Sequence, residues 1–283
     1  MPITGATRVV GLIGTPIVQV KMPGLVNAHW ADKGVDAVMV PVDLKPDAVP
    51  AYIAAVRGWA NSAGLVVTVP FKQVVAALCD DLTPRARRVM TANIVRRGPD
   101  GRLTGDIMDG AGFVAAARAD GFDPAGKRAA VVGAGGVASA IADALCDAGV
   151  ASLRIQDVDA AKQDKLVAIL RAAFPAVDVH GGIASVSDVD MLVNGTPVGM
   201  NGDPSLPLDR ALLDALPASA RAADVVTAPL VTPFLALAQA RGCRIQTGIE
   251  MTRPQMLWMA EFLGLGACCL LYTSPSPRDA TLS

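Results

Sequence analysis

The sequence predicts an α/β protein that folds into two units, and three observations carry that prediction. Apolar runs of strand length alternate with helical patterns through residues 1–110, as in a succession of βαβ units. The alternation resumes after residue 113, around a short apolar run at 129–132 that leads into a glycine-rich turn. A chain of 283 residues is also long enough for two domains, each with its own core.

The glycine-rich turn reads Gly133-Ala134-Gly135-Gly136-Val137-Ala138 and fits the pattern G-x-G-x-x-G/A. A helical pattern ending near Gly149 follows, and the next strand, at 153–156, ends at Asp157. In dinucleotide-binding units such glycines let the backbone approach a pyrophosphate, and an acidic residue at this distance accepts the ribose hydroxyls. An ordinary Ala/Gly-rich turn is the alternative, and Asp157 disfavours it. The sequence therefore predicts a Rossmann-type, doubly wound NAD(P)-binding domain with cofactor-binding residues Gly133, Ala134, Gly135, Gly136, Val137 and Asp157.

The first unit, residues 1–112, is predicted to be an N-terminal α/β substrate domain that precedes the dinucleotide unit. Its predicted strands are 9–13, 37–42 and 64–69, with a hairpin at 91–95 and 102–104. Its predicted helices are 23–33, with Leu25, Val26 and Trp30 facing inward, and 48–59. The next helix is expected to begin near Phe113.

The second unit is predicted to span residues 113–239, and helices within about 240–266 are expected to complete the first unit. Beyond the glycine turn we expect helices at 160–173, 233–241 and 253–263, with strands near Val177 and at 190–194, 223–227 and 244–247. The carboxyl ends of such parallel strands are where ligands bind. Residues 268–283 change abruptly to a Ser/Pro-rich composition, which predicts a non-native or disordered tail that carries no chemistry.

Composition excludes several function classes. The 25 basic and 26 acidic residues nearly cancel and form no basic stripe, which argues against a nucleic-acid partner. The sequence contains no apolar run of membrane-spanning length and no secretory signal. Five cysteines without metal-like spacing and only two histidines favour a cytoplasmic protein without disulfides or a metal site.

Several motifs occur in order along residues 9–266, and together they resemble the shikimate dehydrogenase and quinate/shikimate dehydrogenase family. They are GLIGTP at 11–16, VTVPFK at 67–72, Asn93, GDIMDGAGF at 105–113, GAGG at 133–136, NGTPVGM at 194–200 and MTRPQ at 251–255. The resemblance implies an oxidoreductase of quinate, shikimate or aromatic amino acid metabolism. It would transfer a hydride between a nicotinamide cofactor and a cyclic hydroxy compound.

Hydride transfer at a carbinol carbon requires a proton acceptor at the hydroxyl group, and the chain offers Lys72 and Asp109. Lys72 follows a proline that ends a strand, and Asp109 lies in a glycine-flanked turn. Two unrelated surface charges are the alternative when these residues are considered alone. The resemblance implies that they are the catalytic pair, that Thr68, Asn93 and Gln255 bind substrate hydroxyls, and that the nicotinamide end is bound by Thr196, Pro197, Met200 and Gly248.

The chain departs from the family pattern on the substrate side. Val20 and Met22 stand where family members usually carry two serines that bind the substrate carboxylate, and Thr227 stands where a tyrosine is common. Val66 and Ile107-Met108 replace further polar residues. Because an aliphatic wall cannot compensate for the desolvation of a carboxylate, we expect a substrate with a less polar, uncharged end. Lys21 is an alternative anchor that would preserve carboxylate binding.

The residues after the second Rossmann strand predict NAD rather than NADP. Relatives that use NADP carry Asn-Arg-Thr there, whereas this chain has Asp157-Val158-Asp159, which offers carboxylates and no cation for a 2′-phosphate. Lys162 lies one turn further on and argues against this prediction, because it is a cation that could bind a 2′-phosphate.

Two other functions stay open at this point. One is a degenerate dinucleotide-binding protein that acts as a sensor or regulator, which the lost substrate-side polar groups favour and the retained Lys72 and Asp109 disfavour. The other is a true shikimate or quinate dehydrogenase with a rebuilt carboxylate site. In each case we expect a small-molecule ligand and a monomer or homodimer.

Overall fold

The structure, a computed structural model, describes residues 2–18 and 20–265. These residues form two sheets of six strands each, connected mainly by helices. The predicted α/β fold class is therefore confirmed. The predicted tail at 268–283 lies outside the described residues.

The first sheet is mixed, with strand order β2-β1-β3-β5-β6-β4. Strands β1, β2 and β3 are parallel, whereas β5 runs antiparallel to both β3 and β6. Its elements along the chain are β1 (Arg8–Gly14), α1 (Met22–Asp32), β2 (Ala37–Asp43), α2 (Val49–Gly58), β3 (Ser62–Val67), α3 (Lys72–Leu78), β4 (Asp81–Leu82), α4 (Pro84–Val89), β5 (Ile94–Arg97) and β6 (Leu103–Asp106), followed by α5 (Asp109–Ala119).

The second sheet is parallel in every observed pair, with strand order β12-β11-β10-β7-β8-β9. This is the doubly wound Rossmann order, whose crevice for a dinucleotide lies between β7 and β10, where the strand order reverses. Its elements are β7 (Arg128–Val132), α6 (Gly136–Asp147), β8 (Ser152–Gln156), α7 (Ala160–Ala173), β9 (Asp178–Gly181), β10 (Met191–Asn194), α8 (Arg210–Leu213), β11 (Arg221–Asp224), α9 (Pro233–Ala240), β12 (Arg244–Gln246) and α10 (Gly248–Phe262).

Two helices connect the units. The helix α5 starts beside the first sheet and packs on α6, where a Cβ at Gly110 would lie only 1.9 Å from the carbonyl oxygen of Ala140. After β12 the chain returns in α10, whose Met259 enters the core cluster of the first sheet with Val10 and Trp30. Because α5 and α10 each contact both units, the domain boundaries at 112 and 239 stay a prediction.

Several predicted elements differ from the structure. Residues 73–90 carried no predicted element, yet α3, β4 and α4 lie there, since each is too short to show a periodic pattern. The helix expected near Phe113 begins at Asp109, because low-propensity glycines hide its first turn. The last helix begins at Gly248 rather than 253, where Thr247 and Glu250 form a capping box and Pro254 is tolerated inside the helix.

The first helix also corrects one expectation about its inward face. Val26 and Trp30 are buried as predicted, whereas Leu25 is 59% exposed because it lies on the opposite side of α1. None of the helices within residues 2–18 and 20–265 combines the length and apolar character needed to span a bilayer.

Candidate active site

Lys72 and Asp109 are brought together by the starts of two helices. Lys72 is the first residue of α3, after the loop that follows β3, and Asp109 is the first residue of α5, after β6. The Nζ of Lys72 donates a hydrogen bond to Oδ2 of Asp109, and the two side chains are only 11% and 7% exposed. The N-terminal end of α5 favours the negative charge of Asp109. The predicted pair is thus a nearly buried ion pair.

Asn93 fixes the other oxygen of the Asp109 carboxylate. Its Nδ2 donates to Oδ1 of Asp109 at 2.9 Å, and its Oδ1 accepts from the backbone N–H of Met108 at 3.0 Å. The carboxylate therefore receives one donor on each oxygen, which holds its plane relative to Lys72.

Gln255 of α10 closes this polar group from the opposite side. Its Oε1 lies 3.4 Å from Nδ2 of Asn93, and its side chain is buried. Its Nε2 is buried without a hydrogen-bond partner among the described residues. Because an unpaired buried donor is costly, this N–H group is suited to a hydroxyl oxygen of a ligand.

Thr68 lies at the same edge of the first sheet, half-buried in the loop after β3. The backbone N–H of Thr68 donates to the carbonyl oxygen of Ile13, near the end of β1. A Cβ at Gly14 would lie 2.4 Å from Cγ2 of Thr68. Gly14 thus makes room for Thr68.

Four of the positions where the family pattern carries polar residues belong to one apolar cluster or pack against it. Val20 and Met22 are partly buried against the core cluster that contains Val66 and Met108, whereas Lys21 between them is exposed. Ile107 belongs to a different cluster, with Ala76 and Leu82 among its members.

The glycine turn reaches the Lys72–Asp109 pair. Gly133 has φ +107°, a conformation that favours glycine, and a Cβ there would lie 3.0 Å from Cγ2 of Thr196. A Cβ at Gly136, the first residue of α6, would lie 3.2 Å from Thr91 and 3.8 Å from the Lys72 side chain. This cradle fits the phosphates of a dinucleotide, and it places the start of α6 next to Lys72.

Asp157 stands at the end of β8, as predicted. Its Oδ2 accepts from the backbone N–H of Ala134 at 2.5 Å and its Oδ1 from that of Asp159 at 2.8 Å, which ties it to the glycine turn. Val158 is fully exposed, and Lys162 is paired with Asp159 at 3.3 Å. Gly135 is exposed as the N-cap of α6, and Val137 packs against the core of the second unit.

The remaining predicted residues lie at the carboxyl ends of β10 and β11 and at the start of α10. The backbone of Thr196 is held by Asn194, Pro197 and Met200 are exposed in the same turn, and Thr227 is exposed after β11. A Cβ at Gly248 would lie 2.5 Å from the carbonyl oxygens of Val225 and Val226, so glycine is needed where α10 meets β11.

The sequence analysis missed one buried group at this edge. Asp224 accepts hydrogen bonds from Asn194 and Thr232, and burial raises the pKa of its carboxyl group. Asn194 and Asp224 are both the last residue of a buried strand, a position that could have signalled them. Among the described residues, no three His, Cys, Asp or Glu side chains are grouped so that they could hold a metal ion.

Comparison with known proteins gives concordant results. A family model described as the shikimate dehydrogenase substrate binding domain matches residues 12–95. The shikimate dehydrogenase (NADP(+)) of Geobacter sulfurreducens is 36% identical over 100% of this chain and 96% of its own length. The shikimate 5-dehydrogenase of Listeria monocytogenes, solved with shikimate and NAD, superposes with a TM-score of 0.86 at 28% identity over 94% and 95% of the chains. The ligand-free 5-ketofructose reductase of Gluconobacter sp. strain CHM43 gives 0.81 at 28% identity over 91% and 92%.

Proposed function

This chain belongs to the shikimate dehydrogenase family, and from that membership we propose that it oxidises a secondary alcohol reversibly with a nicotinamide cofactor. The observation that carries the proposal is the nearly buried Lys72–Asp109 pair next to the start of α6. An ion pair at that place puts the proposed proton-transfer groups of the first unit next to the proposed dinucleotide site of the second.

The chemistry follows from these positions. A dinucleotide bound with its phosphates at the glycine turn would supply or accept the hydride through its nicotinamide ring. During reduction of a ketone the Lys72 ammonium donates a proton to the carbonyl oxygen, and during oxidation the neutral amine takes the hydroxyl proton. Asp109 holds Nζ in place and stabilises its charged form, while Asn93 keeps the carboxylate oriented. Gln255 Nε2 and Thr68 offer hydrogen bonds to further hydroxyl groups of the substrate.

Replacing Lys72 tests this assignment. Lys72→Met keeps much of the aliphatic stem but removes the ammonium group, so we expect kcat to fall by at least about a hundredfold. The melting temperature and the Kd for NADH, measured by fluorescence, should stay close to wild type. Lys127→Met is the matched control, since Lys127 is exposed at the opposite end of β7 from the glycine turn. Near-normal kcat in Lys72→Met would refute the assignment.

We further propose that the substrate is a polyhydroxylated alcohol or ketone without a carboxylate. Val20 and Met22 continue the apolar core of the first unit, so a carboxylate placed against them would lose its hydration without gaining donors. Similarity to a 5-ketofructose reductase supports this proposal, because 5-ketofructose is a neutral polyhydroxy ketone.

A panel of charged and uncharged substrates tests whether the substrate lacks a carboxylate. We expect higher kcat/KM for uncharged cyclitols or for 5-ketofructose than for shikimate and quinate. The double variant Val20→Ser/Met22→Ser should raise activity on shikimate, because two hydroxyl donors would then face its carboxylate. A micromolar KM for shikimate in the wild-type protein would contradict the proposal. If that KM then rose strongly in Lys21→Ala, Lys21 would be the residue that binds the shikimate carboxylate.

We also propose NAD as the preferred cofactor, although the curated relatives are named for NADP(+). The carboxylates of Asp157 and Asp159 flank the fully exposed Val158, and Lys162 is already paired with Asp159. A 2′-phosphate would meet two like charges and no unpaired cation from these four residues. If NADH binds but no compound in the panel turns over with either cofactor, the sensor alternative replaces the enzyme.

A further inference from the structure

The buried carboxylate of Asp224 takes no part in the proposed proton transfer. It is the last residue of β11 and is 1% exposed. Its Oδ1 accepts from the backbone N–H of Val226 at 2.9 Å, and its Oδ2 accepts from Thr232 Oγ1 at 2.7 Å and from Asn194 Nδ2 at 3.1 Å. All three donors are uncharged. In the part of the chain that the structure describes, no ion pair reaches Asp224.

The contact with Asn194 helps to set which way that amide points, together with the contacts that the amide makes to its own turn. Because Nδ2 of Asn194 faces the carboxylate of Asp224, its Oδ1 faces the turn at 195–200. There Oδ1 accepts both the backbone N–H and the hydroxyl of Thr196, at 3.1 and 2.6 Å. The same Nδ2 also donates to the carbonyl oxygen of Val198 at 3.0 Å, at the other end of the turn.

A carboxylate serves this position better than an amide would. It can only accept hydrogen bonds, so it accepts from Asn194 in one amide orientation alone. An asparagine at position 224 would present its own NH₂ group to one of the present donors. The amide of Asn194 would then lose one of the contacts that orient it and would hold Thr196 and Val198 less firmly.

The loop that follows β11 is tied to the same point. Thr232, which receives the N–H of Leu235 as the N-cap of α9, also donates to Asp224, and a Cβ at Gly199 would lie 3.2 Å from its Cβ. The backbone N–H of Asn201 donates to the carbonyl oxygen of Ala228 at 3.2 Å. The turns after β10 and β11 are therefore held against each other above a single buried charge.

We propose that Asp224 is a positioning residue that sets the amide of Asn194 and thereby holds the turn of Thr196 and Pro197 at the nicotinamide end of the cofactor site. The inference rests on the proposed function, because it assumes that a nicotinamide lies at this turn. It assigns to Asp224 an effect on the nicotinamide end and none on the adenosine end, which lies at Asp157.

Two ligands that differ only by the nicotinamide moiety test the inference. The Kd values of NADH and of ADP-ribose are measured by calorimetry for the wild-type protein and for Asp224→Asn. We expect the variant to bind NADH about tenfold more weakly and to bind ADP-ribose as wild type, since the Asn194 amide that holds the turn loses one of the contacts that orient it. The swapped variant Asn194→Asp/Asp224→Asn restores a donor and an acceptor between the two positions but loses the donor to the carbonyl oxygen of Val198, so it should recover only part of the lost NADH affinity.

A purely structural role predicts a different pattern. Thr232→Val removes a helix cap and a hydrogen bond to Asp224 without touching Asn194, so it should lower the melting temperature and leave the ratio of the two Kd values unchanged. Equal weakening of both ligands in Asp224→Asn, or no weakening of either, would overturn the inference. If Asp224→Asn does not fold, the Kd values of NADH and ADP-ribose are measured for Asn194→Ala instead. Weaker binding of NADH alone would support the inference, and equal Kd changes for both ligands would overturn it. A wild-type protein that binds neither ligand would refute the proposed function instead.

Discussion

The side chain of Val158 projects fully into solvent directly after β8, between the carboxylates of Asp157 and Asp159. An arginine at this place would present a planar guanidinium with several donors, the group best suited to a phosphate. We therefore expect substitutions at Asp157 and Val158 to alter selection between the two nicotinamide cofactors without disturbing the sheet beneath them.

Substitution of Asp157 and Val158 should shift the cofactor preference. In Asp157→Asn/Val158→Arg we expect kcat/KM for NADP⁺ to rise by about tenfold or more, because the new charge-assisted hydrogen bonds replace a repulsion. The measurement is kcat/KM with both cofactors at fixed substrate. Lys162→Ala is the control and should leave the NADP⁺ value nearly unchanged, since Lys162 is paired with Asp159. A wild-type preference for NADP⁺ would show that the proposal is wrong.

Sequence motifs predicted the identities of the residues at the site better than their mutual contacts. Lys72 and Asp109 were paired in advance because the family resemblance implied it, whereas the two residues considered alone left unrelated surface charges as the alternative. The Asp224–Asn194–Thr232 group was not foreseen, because its members lie in separate strands and loops and meet only when β10 and β11 pair in register. The unpaired Nε2 of Gln255 is likewise a property of packing and carries no local signal.

At the scale of secondary structure, α5 owes its place to two glycines. A Cβ at Gly110 would lie 1.9 Å from the carbonyl oxygen of Ala140 in α6, and a Cβ at Gly112 would lie 2.5 Å from that of Met251 in α10. Both obstacles are backbone atoms, which cannot move aside as a flexible side chain would. The helices therefore approach more closely than any residue with a Cβ would permit.

Adding one methyl group at this contact should be costly. We expect Gly110→Ala to lower the free energy of unfolding by about 2 kcal/mol or more, because the helices must separate to accommodate the methyl group. Gly24→Ala in α1 is the matched control, since no atom lies within 4 Å of the added Cβ, and it should be neutral or slightly stabilising. Urea unfolding measures both. An unchanged midpoint for Gly110→Ala would contradict the close approach of α5 and α6.

The same glycines explain why the start of α5 was predicted four residues too late. Glycine weakens a helix when judged from propensity alone, whereas the packing requires it. The short elements α3, β4 and α4 escaped prediction for a related reason, because their stability comes from neighbouring elements rather than from a pattern of their own. In the Rossmann unit β8, β10 and α7 carry such patterns and were predicted closely, whereas β11 lies at 221–224 rather than 223–227 and the short α8 was not predicted.

At the scale of the whole molecule, α4 of the first unit is joined to the helices of the second unit through Arg88. Its Nε and one terminal nitrogen donate to the two oxygens of Asp143 in α6, at 2.7 and 2.9 Å, and the guanidinium lies 5.1 Å from the ring centre of Phe174 after α7. Asp143 is buried, so this contact neutralises a charge that the core would otherwise exclude.

Removal of Arg88 should destabilise the protein. Arg88→Ala leaves a buried carboxylate unpaired, and we expect the free energy of unfolding to fall by about 3 kcal/mol. The double variant Arg88→Ala/Asp143→Ala should recover part of that loss. Arg87→Ala breaks an exposed pair with Asp81 and a hydrogen bond to the carbonyl oxygen of Leu82, and it should change stability by no more than about 1 kcal/mol. Equal effects of Arg87→Ala and Arg88→Ala in denaturant unfolding would argue against this role for Arg88.

The placement of Asp109 at the tip of α5 has a consequence for movement between the two sheets. If one sheet swings relative to the other to admit a substrate, we expect the axis of that swing to pass close to α5, because this helix packs closely against both α6 of the second unit and α10, which returns to the first. Atoms near an axis travel least, so the Lys72–Asp109 pair would keep its geometry while parts of the two units farther from α5 move apart. A hinge at α5 would therefore let the space between the two units change width without changing the contact between Lys72 and Asp109.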